Sequence, residues 1–368
     1  MKKVWKNHVR MKSCLSVILA SAIMVSMTAC GGAGNGGSGN DGAGNSGNGN
    51  IGNGNGAGTA DEKTDITMVL DWTPNTNHTG LYAALEEGYF DEAGLNVSII
   101  QPPDGGATSL VASGGAQFGV DFQDYLADAF GASEPLPVTA VAAILQHNTS
   151  GIISLKEDGI TGPKELEGKN YATWDLPIEQ KILQNVVEKD GGDFSKVNLI
   201  STYVEDIVAA LHADIDAVWI YYGWDGIAAQ KAGLDTNYFY FKDINDVFDY
   251  YSPVLIANDD FLAEHPEEAK AFVAAVSRGY EYVIANPEEA AQILLKYAPE
   301  LDETMVKESQ KWLTDQYQSD AKQWGYIDPQ RWNRFYSWLN ENGLVENEIP
   351  ENTGFTNDFL PDNQAERK

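Results

Sequence analysis

The sequence predicts an α/β fold built in two lobes, and three observations carry that expectation. Strand and helix patterns alternate from residue 66 onward, which implies parallel strands joined by crossover helices. Once the Gly-rich N-terminal region is set aside, about 300 residues remain, more than one core normally holds. After a last strand at 251–258 the chain turns helical, a finish suited to packing back on the first lobe.

Residues 66–70 form the first strand pattern. Leu81, Tyr82 and Leu85 share a helical face closed by Gly88, and Leu95, Val97 and Ile99 alternate with Asn96 and Ser98 as a second strand. Residues 107–113 read as a helix stopped by Gly114 and Gly115, followed by strands at 118–120 and 138–145. The second lobe begins near Lys156, with a strand at 171–174. Pro177 then opens a helix whose Ile178, Ile182, Leu183, Val186 and Val187 form one face, Gly191 and Gly192 stop it, and strands follow at 197–200 and 217–220. Helices are expected at 265–285, 287–297 and 329–340. Two passages between lobes, near 151–156 and 250–256, make a hinge able to close on a ligand. The expected partition is 61–152 and 254–345 for the first lobe, 153–253 for the second, and 346–368 as a C-terminal tail.

The first 60 residues are of a different kind. Lys2, Lys3, Lys6, Arg10 and Lys12 precede a short apolar run at 15–27, and Thr28 and Ala29 place small residues before Cys30. That is the pattern of a secretory lipoprotein leader over 1–30, its apolar run shorter than the roughly 20 residues that span a bilayer. Residues 31–60, almost wholly Gly, Asn, Ser and Ala, bury too little apolar surface to offset ordering entropy. They are expected to be a disordered tether with a reach of about 30 Å. Cys30 would carry the lipid and hold the protein, extracytoplasmic, on the membrane.

Composition excludes several classes. The only cysteines are Cys14 and Cys30, both in the leader, which removes a disulfide framework, a cysteine-held metal and a thiol nucleophile from the lobes. With 54 acidic residues against 24 basic ones, nucleic acid is an unsuitable partner. Five histidines without HExxH spacing suggest no metal site. No cofactor or catalytic residue is expected, and a monomer is.

Ligand-binding groups are expected outside the carboxyl ends of the strands, where open α/β sheets bind. The densest run, Leu-Asp-Trp-Thr-Pro-Asn-Thr-Asn-His-Thr-Gly at 70–80, supplies Asp71, Trp72, Asn75, Asn77 and His78 just where Pro74 ends the strand. Other strand ends add Gln101, Gln123, Asp124, Gln146, Trp174, Glu179, Tyr221, Tyr222, Trp224 and Asp225. The set is aromatic and acidic: rings to stack a flat heterocycle, and carboxylates and amides to accept from an exocyclic amine or a protonated ring nitrogen. It has no strand-end Lys or Arg to pair a sulfonate or nitrate. Duller roles exist for some members: Trp174 and Trp219 as core, Asp225 as a helix N-cap, His78 as an orienting or core histidine. Tyr221, Tyr222 and Trp224, around one Gly, are expected to form a ligand platform.

The run at 70–80 resembles the first binding loop of substrate-binding proteins related to the fungal thiamine-pyrimidine synthases. Further matching stretches are Gly-Tyr-Phe-Asp-Glu-Ala-Gly-Leu-Asn-Val at 88–97, Gly-Gly-Ala-Gln-Phe-Gly at 114–119, Ser-Gly-Ile-Ile-Ser-Leu at 150–155 and Phe-Leu-Ala-Glu-His-Pro-Glu-Glu at 261–268. With them the chain is similar, over 64–340, to the extracytoplasmic solute receptors of ABC importers in the sulfonate and thiamine-pyrimidine group. The resemblance implies a periplasmic-binding-protein type II fold with two hinge crossings, an amino-pyrimidine precursor of thiamine as ligand, and ABC permease subunits as partners. A flavin or sulfonate receptor is the alternative within the group. A surface sensor or adhesin lobe would share the same residues. A pyrimidine-synthesising enzyme is a remoter reading: the fungal synthases use a cysteine-rich iron site and an active-site histidine. The corresponding stretch here, 248–253, holds no cysteine, and the place of the histidine falls at Gln123-Asp124.

Overall fold

A computed structural model describes residues 63–362. The proposed leader, the tether and Cys30 therefore lie outside the described residues. Ten strands form two five-stranded sheets. The first sheet takes β1 (Thr64–Val69), β2 (Leu95–Ile100), β3 (Phe118–Asp121) and β4 (Val138–Ala143). The second takes β5 (Ser150–Leu155), β6 (Asn170–Thr173), β7 (Asn198–Ser201), β8 (Ala217–Tyr221) and β9 (Thr236–Tyr240), and β10 (Val254–Asn258) returns to the first. The spatial orders are β2-β1-β3-β10-β4 and β7-β6-β8-β5-β9. Both sheets are mixed. β1, β2 and β3 run parallel, as do β6, β7 and β8, but β10 lies antiparallel between β3 and β4, and β5 antiparallel between β8 and β9. The two reversed strands are the ones reached by passing from one sheet to the other, without the helical crossover that would set them parallel.

Six of the seven longer helices among the described residues follow the sequence signals, the exception being Glu303–Leu313. The seven are α1 (Thr79–Glu86), α2 (Gly106–Ala112), α3 (Pro177–Lys189), α4 (Pro266–Ala285), α5 (Pro287–Tyr297), α6 (Glu303–Leu313) and α7 (Pro329–Glu341). Proline opens α3, α4, α5 and α7, where a missing N–H costs nothing, and Glu pairs in the first turns of α4 and α5 suit the helix dipole. Asp302 caps α6 by accepting from Met305 N, and Asp328 caps α7 by accepting from Arg331 N.

Three elements escape the sequence patterns. β5 is buried along its whole length, so it carries no polar alternation to mark it. As a result the first passage between sheets lies at 144–149, ahead of the expected 151–156. β9 and α6 also went unforeseen, β9 because all its residues are partly exposed, leaving no one-sided pattern.

The first sheet packs one face on α1 and α4, where Phe118 stacks on Phe272 at 3.9 Å. A second apolar core spans both sheets. It runs from Val69, Phe130 and Val138 through Tyr250, Phe335 and Trp338 to Tyr171, Ile182 and Trp219, with Tyr250 stacked on Phe335 at 4.2 Å. Each such buried ring contributes about 1.5–3 kcal/mol of transfer free energy. The passages between the sheets are tied by polar groups as well. The Asp249 carboxylate, on the second passage, accepts from Asn148 N at 3.0 Å and from His147 Nδ1 at 2.7 Å, both on the first, and Arg331 of α7 stands 3.6 Å away. Arg331 also donates to the Gln146 carbonyl, and His147 Nε2 lies 3.0 Å from Asp320. The bond to Asp249 raises the His147 pKa against the opposing effect of burial. Burial pushes Asp249 upward, but His147 and Arg331 outweigh it and hold its pKa below the ordinary value.

Two outcomes follow. A Cβ on Gly279 of α4 would stand 2.1 Å from the Gly80 carbonyl of α1 and 3.0 Å from Ala84 Cβ, so Gly279→Ala should separate the helices and cost about 1–3 kcal/mol in urea unfolding. Because the folded pKa of His147 is raised, its stabilisation is fully present below the unfolded value of about 6.5 and is lost as pH rises through the folded value. The stability gap between the wild type and His147→Ala should be about 1 kcal/mol near pH 6 and should shrink by pH 9, measured by denaturation across pH.

Candidate ligand-binding cleft

The carboxyl ends of β1, β3, β6 and β8 face a common space between the two sheets, and the loops after them carry most of the expected residues. The loop after β1 is built rigidly. His78 is fully buried; its Nδ1 accepts from Asn75 N at 3.2 Å, which leaves Nε2–H to donate to Asp71 Oδ1 at 2.5 Å. His78 thus holds Asp71 in place and does not itself meet the space. Asn75 caps the turn by accepting from Asn77 N, and its amide donates to Thr73 O. The helical finish clamps the same loop: Tyr280 OH donates to Asn77 O and Tyr317 OH to Thr76 O, each at 2.6 Å. Ser309 of α6 contacts Thr76 Oγ1 at 2.6 Å and donates to the Gly223 carbonyl, linking a loop of the first sheet to a turn that follows the second.

Aromatic rings cross the space. Phe122, after β3, lies parallel to Tyr221 of β8 at 5.8 Å, and exposed Trp72 sits 6.4 Å from exposed Tyr203, which follows β7. Asp121 and Asp124, at and just beyond the end of β3, are buried. Asp121 accepts from Thr108 Oγ1 and Phe122 N; burial first, then the nearby Asp71 charge, raise its pKa to about 6. Burial, with Asp121 adding to it, takes Asp124 up to about 7. Asp225, in the turn after β8, is raised to about 6 by burial. No Lys, Arg or His is among the groups that shift these three acids, so the space is acidic and burial without a nearby cation favours their uncharged forms. A pocket of about 100 Å³ opens here, lined by Asp124, Tyr125, Trp174, Glu179 and Trp219 among others.

Several expected residues take other roles. Glu179 turns its carboxylate back on its own surroundings, accepting from Tyr171 OH at 2.8 Å, Thr173 Oγ1 at 2.9 Å and Trp174 N, and so caps α3; burial still raises its pKa. Gln123 is fully buried and spent on backbone, donating to Trp332 O and accepting from Tyr251 N. Gln146 donates to Tyr326 O and lines a different, wider depression of about 600 Å³ formed with residues of the segment 320–362 and not with strand ends. Gln101 stands exposed at the end of the edge strand β2. The expected platform is largely covered by protein: Tyr222 packs on Tyr238, Tyr240 and Trp312, and Trp224 packs on the core under α6, leaving Tyr221 to face Phe122. Trp219 is core, with Trp174 half-buried against it at 5.5 Å. Sequence reasoning missed Asp121, Phe122, Tyr125 and Tyr203; only the position of the first three after a short apolar strand could have flagged them.

Because Glu179 satisfies donors of β6 and of the loop before α3, Glu179→Gln should lower the stability of the ligand-free protein by about 1–3 kcal/mol in thermal or urea unfolding. Unchanged stability would return this carboxylate to the list of ligand contacts.

Relatives and structural neighbours agree with this architecture. The chain is 30% identical over 297 residues, 79% of its own length and 89% of the relative's, to the formylaminopyrimidine-binding protein of Halalkalibacterium halodurans. It is 28% identical, over 64% of its length and 71% of the relative's, to the 4-amino-5-hydroxymethyl-2-methylpyrimidine phosphate synthase of Aspergillus parasiticus. In fold it is similar to the alkanesulfonate-binding protein SsuA of Xanthomonas axonopodis pv. citri, solved with MOPS, at a TM-score of 0.61 and 10% identity over 80% of this chain and 99% of that one. The nitrate-binding protein NrtA of Synechocystis PCC 6803 gives a TM-score of 0.61 at 16% identity over 81% and 87% of the two chains. The architecture is therefore the periplasmic-binding-protein type II fold. Residues 75–290 match the family described as NMT1/THI5 like, and with the relative at 30% identity they place the chain as a member of the NMT1/THI5 like family.

Proposed function

We propose that the protein is an extracytoplasmic receptor that captures an amino-pyrimidine precursor of thiamine between two lobes and delivers it to an ABC permease. The observation that carries this reading is the acidic cleft, without a cation among the groups that shift its acids and with aromatic walls, at the carboxyl ends of strands from both sheets. A flat ring with exocyclic nitrogen finds π-faces and hydrogen-bond acceptors there. A sulfonate or nitrate finds carboxylates and no cation, which would repel it. The formylaminopyrimidine-binding relative from Halalkalibacterium halodurans supports the same class.

The two connections at 144–149 and 241–253 act as the hinge, and the receptor works as a monomer held to the membrane through a lipid on Cys30. A synthase reading finds less support. The stretch 248–253 contains no cysteine, and at 123–124 a structural glutamine precedes an acid where that reading places a histidine.

Calorimetry and thermal shift with formylaminopyrimidine, an alkanesulfonate and nitrate test the assignment. Binding that involves only the folded state should raise stability by about 2.7 kcal/mol at a hundredfold excess over Kd for the pyrimidine, and leave it unchanged for both anions. Preference for either anion would overturn the pyrimidine reading.

A further inference from the structure

Six buried side-chain polar atoms stand without a hydrogen bond of good geometry among the described residues, and five of them gather where the sheets meet: Asp124 Oδ1, Tyr250 OH, Ser150 Oγ, Ser252 Oγ and Trp219 Nε1. Tyr250 still lies within reach of Asp124 and Asn148, and Ser252 within reach of Tyr221. Their elements converge. Ser150 opens β5 directly opposite Tyr221 of β8, Ser252 and Tyr250 lie on the passage into β10 beside Tyr221 and Asp124, and Asp124 and Trp219 line the same small pocket. Folded proteins seldom leave buried polar atoms unpaired, and each such group calls for an explanation such as a catalytic role, a bound water or ion, or stored strain. This floor offers one acid, one obligate donor and three hydroxyls that can donate or accept.

Resting on the receptor reading above, we propose that Asp124 is the specificity-determining anchor of the cleft. Its carboxyl takes the amidine-like edge of a weakly basic nitrogen heterocycle through two hydrogen bonds: one oxygen accepts from the exocyclic amine, and the other is joined to the adjacent ring nitrogen through a single titratable proton. Ser150, Ser252, Tyr250 and Trp219 complete the hydrogen bonding of the substituents. In the free protein the surroundings keep Asp124 protonated up to about pH 7. The groups facing it supply no positive charge. Asp121 and Tyr125 come from its own segment, Tyr221 from β8, Tyr250 from the second passage and Tyr336 from α7. Asp128 and Glu179 share its pocket, and Glu179 is already bonded to Tyr171 and Thr173 of β6. The neutral acid with a neutral ring, or the carboxylate with a protonated ring, give the same complex with one proton. Above about pH 7 that proton must be taken from solvent, so affinity falls towards tenfold per pH unit.

Calorimetry of the purified protein with formylaminopyrimidine, in two buffers of different ionisation enthalpy at pH 8, reads the proton directly and needs no variant. Uptake approaching one proton per ligand is expected. Asp124→Asn, which keeps size and hydrogen-bonding capacity, should abolish the uptake and flatten the pH profile, while Asp124→Ala should weaken binding by more than tenfold. An analogue with hydrogen in place of the ring amine keeps the ring nitrogen but loses one of the two bonds, so it should bind the wild type more than tenfold more weakly than the parent pyrimidine. Wild-type binding with no proton uptake, together with an unaltered pH profile in Asp124→Asn, would sink the role of Asp124 and leave the receptor reading standing. Failure of the wild type to bind the pyrimidine at any pH would overturn both.

Discussion

Everything about the cleft depends on how the two sheets are held at their two connections, and those connections meet at one carboxylate. Asp249 ties the backbone and imidazole of the first passage to the second, and Arg331 brings α7 to the same point. Around this polar knot the rings of Tyr250, Phe335 and Trp338 make the apolar core continuous from one sheet to the other. The passages are therefore tied to each other where they cross, which leaves any hinge between the sheets ordered and not a pair of loose linkers. Strand ends from opposite sheets can then face each other with side chains already placed.

A second constraint is electrostatic. Burying carboxyl groups without a cation costs folding free energy, and here the cost concentrates in Asp121, Asp124 and Asp225 along one cleft. Sites that favour binding over stability commonly carry such unresolved charge. The surrounding structure is correspondingly over-determined. His78 fixes Asp71, Thr108 and Phe122 N fix Asp121, and Ser309 links the loop after β1 to the turn after β8.

The sequence was most legible where a local rule acts. Proline marked three helix starts, at Pro177, Pro287 and Pro329, Gly88 and the Gly114-Gly115 pair marked stops, and the polar run behind β1 marked a strand end at a cleft. It was least legible where a partner far along the chain decides. Nothing local distinguishes Glu179, bonded to Tyr171 and Thr173, from an acid aimed at a ligand. Gln123 is spoken for by backbone 128 and 209 residues away. Tyr222 and Trp224 seemed too apolar to leave uncovered, and the cover proved to be α6, a helix whose charged sequence gave little sign of it. The mixed sheets were hidden for a related reason: strand patterning reports burial, and direction is set by how the chain arrives.

The position of β10 has a consequence for how the molecule comes into being. The first sheet cannot close when its first four strands exist, because β3 and β4 are neighbours only through a strand made more than a hundred residues later. Until that strand arrives, each presents an unpaired edge to solvent, and pairing them demands contacts of long sequence separation. During synthesis the second sheet, whose strands are contiguous in the chain, is free to assemble ahead of the first, so the half of the molecule translated earlier finishes last. A chain that stalls near residue 250 would expose two sticky edges, which makes incomplete copies of this protein candidates for aggregation and for capture by folding helpers.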